Sequence, residues 1–178
     1  MPRRSAHMKL VEMLARRRVA LGFGAAAVAL LFAHPRWPTW STGLVVAACG
    51  EAIRIWAAGH LEKGREITRS GPYRWSRHPL YVGSSVIALG VVIAARSVAV
   101  AVVTAIYMAS TLGAAIRTEE AFLEHQFGDA YDRYRESRAE PMSRRFSAAR
   151  AMRNREHRAA AGLVAGFALL ALKMIGYL

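Results

Sequence analysis

Five apolar stretches, at about residues 19–34, 41–61, 79–95, 97–116 and 159–178, alternate with segments that collect nearly all the arginine and lysine. That separation is the strongest constraint on the fold. A soluble chain interleaves apolar and charged positions along amphipathic faces, whereas a chain built for a bilayer sorts them into blocks. It reconciles a composition that is 54% hydrophobic with a net charge of +13. A hydrocarbon core about 30 Å thick takes ~20 helical residues. Four of the stretches suit that length, and the first is short enough to require tilt or a thinned bilayer. The expected fold is therefore all-α: a polytopic membrane bundle of about five transmembrane helices in one domain, residues 19–178, behind a basic arm at 1–18.

The basic residues give the orientation. Six lie in the arm (Arg3, Arg4, Lys9, Arg16, Arg17, Arg18), five in residues 62–78 and ten in residues 117–158. The two connections on the other side hold only Arg36 and Arg96. The positive-inside rule then predicts a cytoplasmic N-terminus, a C-terminus on the opposite side, and a multi-pass protein of a bacterial inner membrane. Trp37, Trp40, Tyr73 and Trp75 fall at span ends, where amphipathic rings favour the headgroup layer. Basic charge that follows membrane sidedness argues against a nucleic-acid partner and for a supplementary attraction to anionic lipid. The arm is not read as a cleaved leader, because Ala33-His34-Pro35 makes a poor cleavage site. Cys49 is the single cysteine, expected to be a buried small hydrophobe with no disulfide role.

Arg96-Ser97 alone separates the third and fourth spans, which forces an antiparallel helical hairpin. Gly83, Ser84, Ser85, Ala88 and Gly90 in one span, and Ala105, Ala109, Ser110, Gly113 and Ala114 in the other, are small enough for close helix approach in lipid. Beyond the fourth span, Leu123, Phe127, Tyr131 and Tyr134 recur at helical spacing and are interrupted by Gly128. This pattern predicts two short helices folded beneath the membrane face as a cytoplasmic lid.

Polar chemistry gathers at the predicted cytoplasmic boundary. Gly71-Pro72 is a turn signal, and Pro79 suits the first turn of a helix, where its missing N–H is not needed. Arg77-His78-Pro79 therefore sets a guanidinium and an imidazole at a helix N-terminus, with Tyr81 one turn on. Glu119-Glu120 follows the fourth span at the same face and can accept hydrogen bonds from a diol or an ammonium. Glu51 and Arg54 lie three apart on one face of the second span, and ions within a membrane default to a functional hypothesis.

Taken together, Gly71-Pro72-Tyr73-Arg74, Arg77-His78-Pro79-Leu80-Tyr81-Val82-Gly83, Glu119-Glu120, Phe127-Gly128 and Tyr131-x-x-Tyr134 resemble the isoprenylcysteine carboxyl methyltransferase and phospholipid methyltransferase families. Arg54-Ile55-Trp56-Ala57 fits the same pattern, and the resemblance covers roughly residues 50–141. It implies an integral membrane enzyme that uses S-adenosylmethionine without a Rossmann domain. No strand followed by Gly-x-Gly-x-x-Gly is present to suggest one. Carried over residue by residue, the resemblance implies cofactor contacts from Tyr73, His78, Tyr81, Gly83, Glu119, Glu120, Tyr131 and Tyr134. It makes Arg77, His78 and Arg54 the catalytic candidates, with no metal. The implied acceptor is lipid-borne, an isoprenylcysteine-like carboxylate in first place. One departure stands out: Glu140 occupies the position where the family pattern has an arginine, with Arg138 and Arg144 nearby. Which arginine orients a substrate is thus left open. Two other classes share some of these features: an NADPH-dependent membrane reductase of the sterol-reductase kind, and a non-catalytic basic membrane protein.

Overall fold

The computed structural model describes Met13, residues 20–140 and residues 142–176. The rest of the basic arm, Val19, Pro141, Tyr177 and Leu178 lie outside the described residues. The described residues form helices and no strand. Four long or apolar helices come first: α1 (Ala20–Phe32), α2 (Trp37–Ala58), α3 (Pro79–Ala95) and α4 (Val98–Phe127). Then follow the short α5 (Asp129–Arg135) and α6 (Ala148–Arg153), and α7 (Glu156–Met174). A 3-10 turn, Gly71–Arg74, lies between α2 and α3.

The packing is that of a membrane protein turned outward. The residues buried inside are mostly small, among them Ala33, Ala47, Ala94 and Ala95. Phe23, Leu31, Val98, Ile106 and Val164 instead stand exposed on the outside. A large apolar exterior of this kind marks a surface that meets lipid. Among the described residues two helices, α4 and α7, are long and apolar enough to cross a bilayer. α1 and α3 are apolar but shorter, and α2 has the length but is diluted by Glu51 and Arg54.

α3 packs chiefly on α2 rather than on α4. The reason lies in glycine: a Cβ on Gly43 would fall 2.4 Å from the Gly90 carbonyl oxygen, and one on Gly50 would fall 2.7 Å from that of Gly83. Both backbones approach through hydrogen-only positions, which is how helices gain dispersion contact where lipid removes the hydrophobic drive. Gly113 of α4 does not share in this. A Cβ on Gly113 would meet nothing within 4 Å, so the hairpin is tight at its turn and loose along its length. Cys49 is exposed, contrary to expectation, because it lies off the Gly43–Ala47–Gly50 stripe that faces α3.

The two ends of the bundle are distinct. At one end the α1–α2 and α3–α4 turns touch, with the His34 N–H donating to the Ala95 carbonyl at 2.8 Å. At the other end residues 59–78 and 128–155 interlock. Tyr134 Oη donates to the Tyr73 carbonyl at 2.8 Å, and Asn154 Nδ2 donates to the carbonyls of Ala58 and Leu61. α4 does not stop at residue 116 as expected but runs on unbroken to Phe127. No glycine or proline lies between residue 116 and Gly128, whose φ of +45° no β-substituted residue adopts cheaply. The predicted pair of short helices is thus an α4 extension plus α5.

Candidate functional site

His78 is the N-cap of α3 and Pro79 its first residue. The imidazole is thereby fixed at the helix's positive end, one turn before Tyr81. The two rings lie near parallel, 29° apart with centroids at 5.6 Å. α4's extension brings the paired carboxylates to them. His78 Nε2 lies 3.1 Å from Glu120 Oε1, and Tyr81 Oη donates to Glu119 Oε2 at 2.8 Å. Arg77 Nη1 reaches the same Glu120 oxygen at 3.2 Å. An ionised carboxylate can only accept, so we assign the proton of the imidazole to Nε2. Nδ1 is then left buried without a hydrogen-bond partner, 4.0 Å from Glu119 Oε2.

Next to this cluster lies a cavity of about 260 Å³ whose wall includes Tyr73, Arg77, Glu119, Phe122 and Tyr134. Small-molecule sites span roughly 300–1,000 Å³, and this one sits just under that range. α5 flanks it, with Tyr134 in its wall. Tyr131 is buried, with the Arg77 guanidinium beside it, and Tyr134 bonds to the 3-10 turn. Burial pushes the phenol of Tyr134 up to about 12 and raises those of Tyr131 and Tyr73, so all three stay neutral donors near neutral pH. Carboxylates beside aromatic walls match a cofactor that carries an ammonium, ribose hydroxyls and a flat base. The residues present therefore fit S-adenosylmethionine in chemical character.

Of the ten site residues named from the sequence, two fall outside this cluster. Gly83 faces α2, where a Cβ would meet the Arg54 side chain at 2.6 Å and the Gly50 carbonyl oxygen at 2.7 Å; its place in the structure is helix packing. Arg54 is held elsewhere too. Its Nε and Nη2 both lie 2.6 Å from Glu156 Oε1, and its Nη1 donates to Ser84 Oγ. The carboxylate partner comes from α7, which no local spacing near Arg54 could reveal.

Sequence reasoning also missed a polar clamp behind the cavity. Arg150 Nε bonds Glu62 at 2.7 Å, Arg144 Nη2 bonds Glu66 at 2.7 Å, and Phe146 covers Gly59. The buried His60 lies 3.1 Å from Ser70 Oγ, with its ring against Gly71. Gly71 has φ +57° and no room for a Cβ there, so both its conformation and its contact require glycine. Among the described residues no group of three or more His, Cys, Asp or Glu side chains is placed to hold a metal ion.

A helical bundle with an apolar exterior and a polar cluster at one end is the architecture of a membrane-associated protein with its polar groups gathered at the rim. The chain belongs to the phospholipid methyltransferase family, which matches residues 24–130 and so runs from within α1 to the start of α5. It is 36% identical over 119 residues to the cobalt-zinc-cadmium resistance protein CzcN of Cupriavidus metallidurans, covering 62% of this chain and 54% of that protein. It is 28% identical over 143 residues to the nickel-cobalt-cadmium resistance protein NccN of Alcaligenes xylosoxydans xylosoxydans, covering 74% of this chain and 67% of that protein. The chain thus spans about half the length of the first of these relatives. No solved structure is detectably similar.

Proposed function

We propose that this protein is an S-adenosylmethionine-dependent membrane methyltransferase acting on a lipid-borne or otherwise hydrophobic acceptor. The observation that carries the reading is the convergence of Arg77, His78 and Tyr81 with Glu119 and Glu120 beside an aromatic-walled cavity. The asymmetry of arginine and lysine along the sequence supports a cytoplasmic position for this end of the bundle, on the side from which a soluble cofactor would enter.

S-adenosylmethionine, when bound, supplies a methyl group already activated by its sulfonium, so positioning and exclusion of water are the main tasks left to the protein. Glu119 and Glu120 would hold the cofactor's ammonium and hydroxyl groups as hydrogen-bond acceptors, while Tyr81 and His78 hold those two carboxylates in direction. Tyr73 and Tyr134 wall the cavity as neutral rings, with the buried Tyr131 ring beside Tyr134, and keep water out, which strengthens each polar contact inside. Arg77 fixes Glu120 from the solvent side. If the acceptor arrives protonated, the unpartnered Nδ1 of His78 is the group best placed to take its proton. The relatives' names tie those proteins to metal resistance. We read the same link here as indirect, through methylation of an envelope component.

The experiment is to supply membranes that contain or lack the protein with S-adenosylmethionine tritiated on its methyl group, and to separate the labelled species. The reading expects a protein-dependent label in the lipid extract, lost in His78→Ala and Glu120→Ala. A protein that binds NADPH and transfers no label would be a reductase. One whose phenotype survives both substitutions but not charge reversal of the arm would be a non-catalytic membrane protein.

A further inference from the structure

Residues 142–158 lie outside the part of the chain matched by the family and form a strap that carries α6 and leads into α7. Their charge is one-sided: six arginines stand against a single carboxylate, Glu156. Glu156 pairs with Arg54, Arg144 pairs with Glu66, and Arg150 and Arg153 share Glu62. Arg145, Arg155 and Arg158 are exposed and have no ion pair among the described residues. Two large apolar side chains stand out on the same strap, Phe146 at 47% exposed and Met152 at 56%.

The depth of the strap follows from what it is fastened to. The Ser147 N–H donates to the Gly59 carbonyl at 3.1 Å, and Asn154 Nδ2 donates to the carbonyls of Ala58 and Leu61 at 2.8 and 2.9 Å. These acceptors stand at or just beyond the end of α2, within about a turn of Trp56. Trp56 leans on the largely exposed Trp75, with ring centroids 5.7 Å apart. Exposed indoles of a membrane protein settle in the headgroup layer, because the ring is apolar and its N–H is not. The strap therefore lies at headgroup depth. A phenylalanine or methionine exposed there is stabilised by dipping toward the acyl chains, while an arginine keeps its guanidinium at phosphate level. Electrostatic attraction to anionic lipid adds to that burial, and a guanidinium grips a phosphate oxygen pair through parallel N–H bonds.

We infer that residues 142–158 form an in-plane anchor that binds anionic phospholipid of the adjoining leaflet, with Phe146 and Met152 on the acyl side and Arg145, Arg155 and Arg158 on the headgroup phosphates. A soluble acidic partner would account for the arginines but not for the two exposed apolar side chains beside them. The inference stands apart from the methyltransferase reading, since it concerns how the strap meets lipid and not what the rim transfers. The anchor nevertheless adjoins the rim: Arg144 bonds Glu66, which lines the 260 Å³ cavity.

A label on the strap tests this. Met152→Cys, in a Cys49→Ser background, accepts a bimane fluorophore at an exposed position. The full chain is reconstituted in phosphatidylcholine bilayers that contain a minor fraction of brominated phosphatidylglycerol or, separately, the same fraction of brominated phosphatidylcholine. Bromine quenches the label at close range, so the ratio of the two quenching constants reports which lipid occupies the strap. A basic residue near an anionic surface is worth about fivefold, so the three arginines should enrich phosphatidylglycerol at least about tenfold. Replacing Arg145, Arg155 and Arg158 together by Gln should bring the enrichment below about twofold, whereas replacing Arg16, Arg17 and Arg18 of the arm by Gln should leave it intact. Arg145→Gln and Arg158→Gln singly should each lower it severalfold, which keeps the test decisive should the triple variant fail to insert. Equal quenching by the two lipids, enrichment that survives the strap substitutions, or enrichment lost with the arm instead overturns the inference. A label quenched by neither lipid puts the strap in water, overturns the inference equally, and makes a soluble acidic partner its occupant.

Discussion

Gly90→Ala should disable the site from a distance through the α2–α3 contact. The added Cβ would fall 2.5 Å from the Gly43 carbonyl oxygen, 2.6 Å from the Ala47 nitrogen and 2.8 Å from the Ala47 Cβ. Two of these are backbone atoms of a continuous helix, so no side chain can swing aside. Contact at an ordinary separation requires the helices to part by about 1 Å, and overpacking of this kind costs about 1–3 kcal/mol. α3 carries His78 at its N-terminus, and a displacement of about 1 Å in positioned groups can lower a rate by about a hundredfold. Gly113→Ala makes the same chemical change in α4, where the Cβ meets nothing. Thermal unfolding in detergent and methyl transfer to membrane lipid are measured for both. The reasoning expects Gly90→Ala to melt lower and to lose most of its transfer while Gly113→Ala keeps both. Equal behaviour of the two variants would refute it.

Three further outcomes are expected. Tyr134→Phe removes the bond from α5 to the Tyr73 carbonyl, worth about 0.5–1.5 kcal/mol, and should speed the release of S-adenosylhomocysteine, seen in stopped-flow, with little change in melting. His60 is buried and faces Arg150 and Arg144, causes that in that order lower its pKa below the ordinary value near 6.5. The unfolded clamp thus binds the proton more readily, so the stability from neutral His60 is present above about pH 6.5 and is lost as pH falls from there toward the lowered value. Proteolysis within residues 136–155 should accelerate across that window in the wild type, and this acid dependence should vanish in His60→Asn. Arg150→Ala removes the shorter bonds to Glu62 and the Gly59 carbonyl, leaving them the longer ones from Arg153 and the Ser147 N–H, and should open the same segment to protease at neutral pH.

Much of the fold could be read in the chain because each signal was local. Pro79 marked the start of α3, Arg96-Ser97 its turn into α4, and Gly128 the break before α5, each through a backbone preference of the residue itself. The end of α4 was misplaced because hydropathy drops at Arg117, whereas helical hydrogen bonding is indifferent to whether its side chains meet lipid or water. The cluster was legible for a different reason. His78, Tyr81, Glu119 and Glu120 lie at ends of predicted helices, and antiparallel connectivity alone brings those ends to one face. What stayed hidden were pairings between distant charges, Arg54 with Glu156 and Glu62 with Arg150, since an arginine carries no mark of which carboxylate it will meet. The packing of Gly83 on α2 stayed hidden for a related reason: a glycine that admits a cofactor and a glycine that admits a helix look alike in a sequence.

The central claim is that the rim of this bundle forms a nucleoside-sized site from the start of α3 and the extension of α4. Isothermal titration of the purified full chain with S-adenosylhomocysteine tests it most directly. Saturable one-site binding that weakens at least about tenfold in Glu120→Gln, the scale of a lost charged hydrogen bond, is the predicted result. No heat of binding in the wild type, or binding untouched by that substitution, would contradict it.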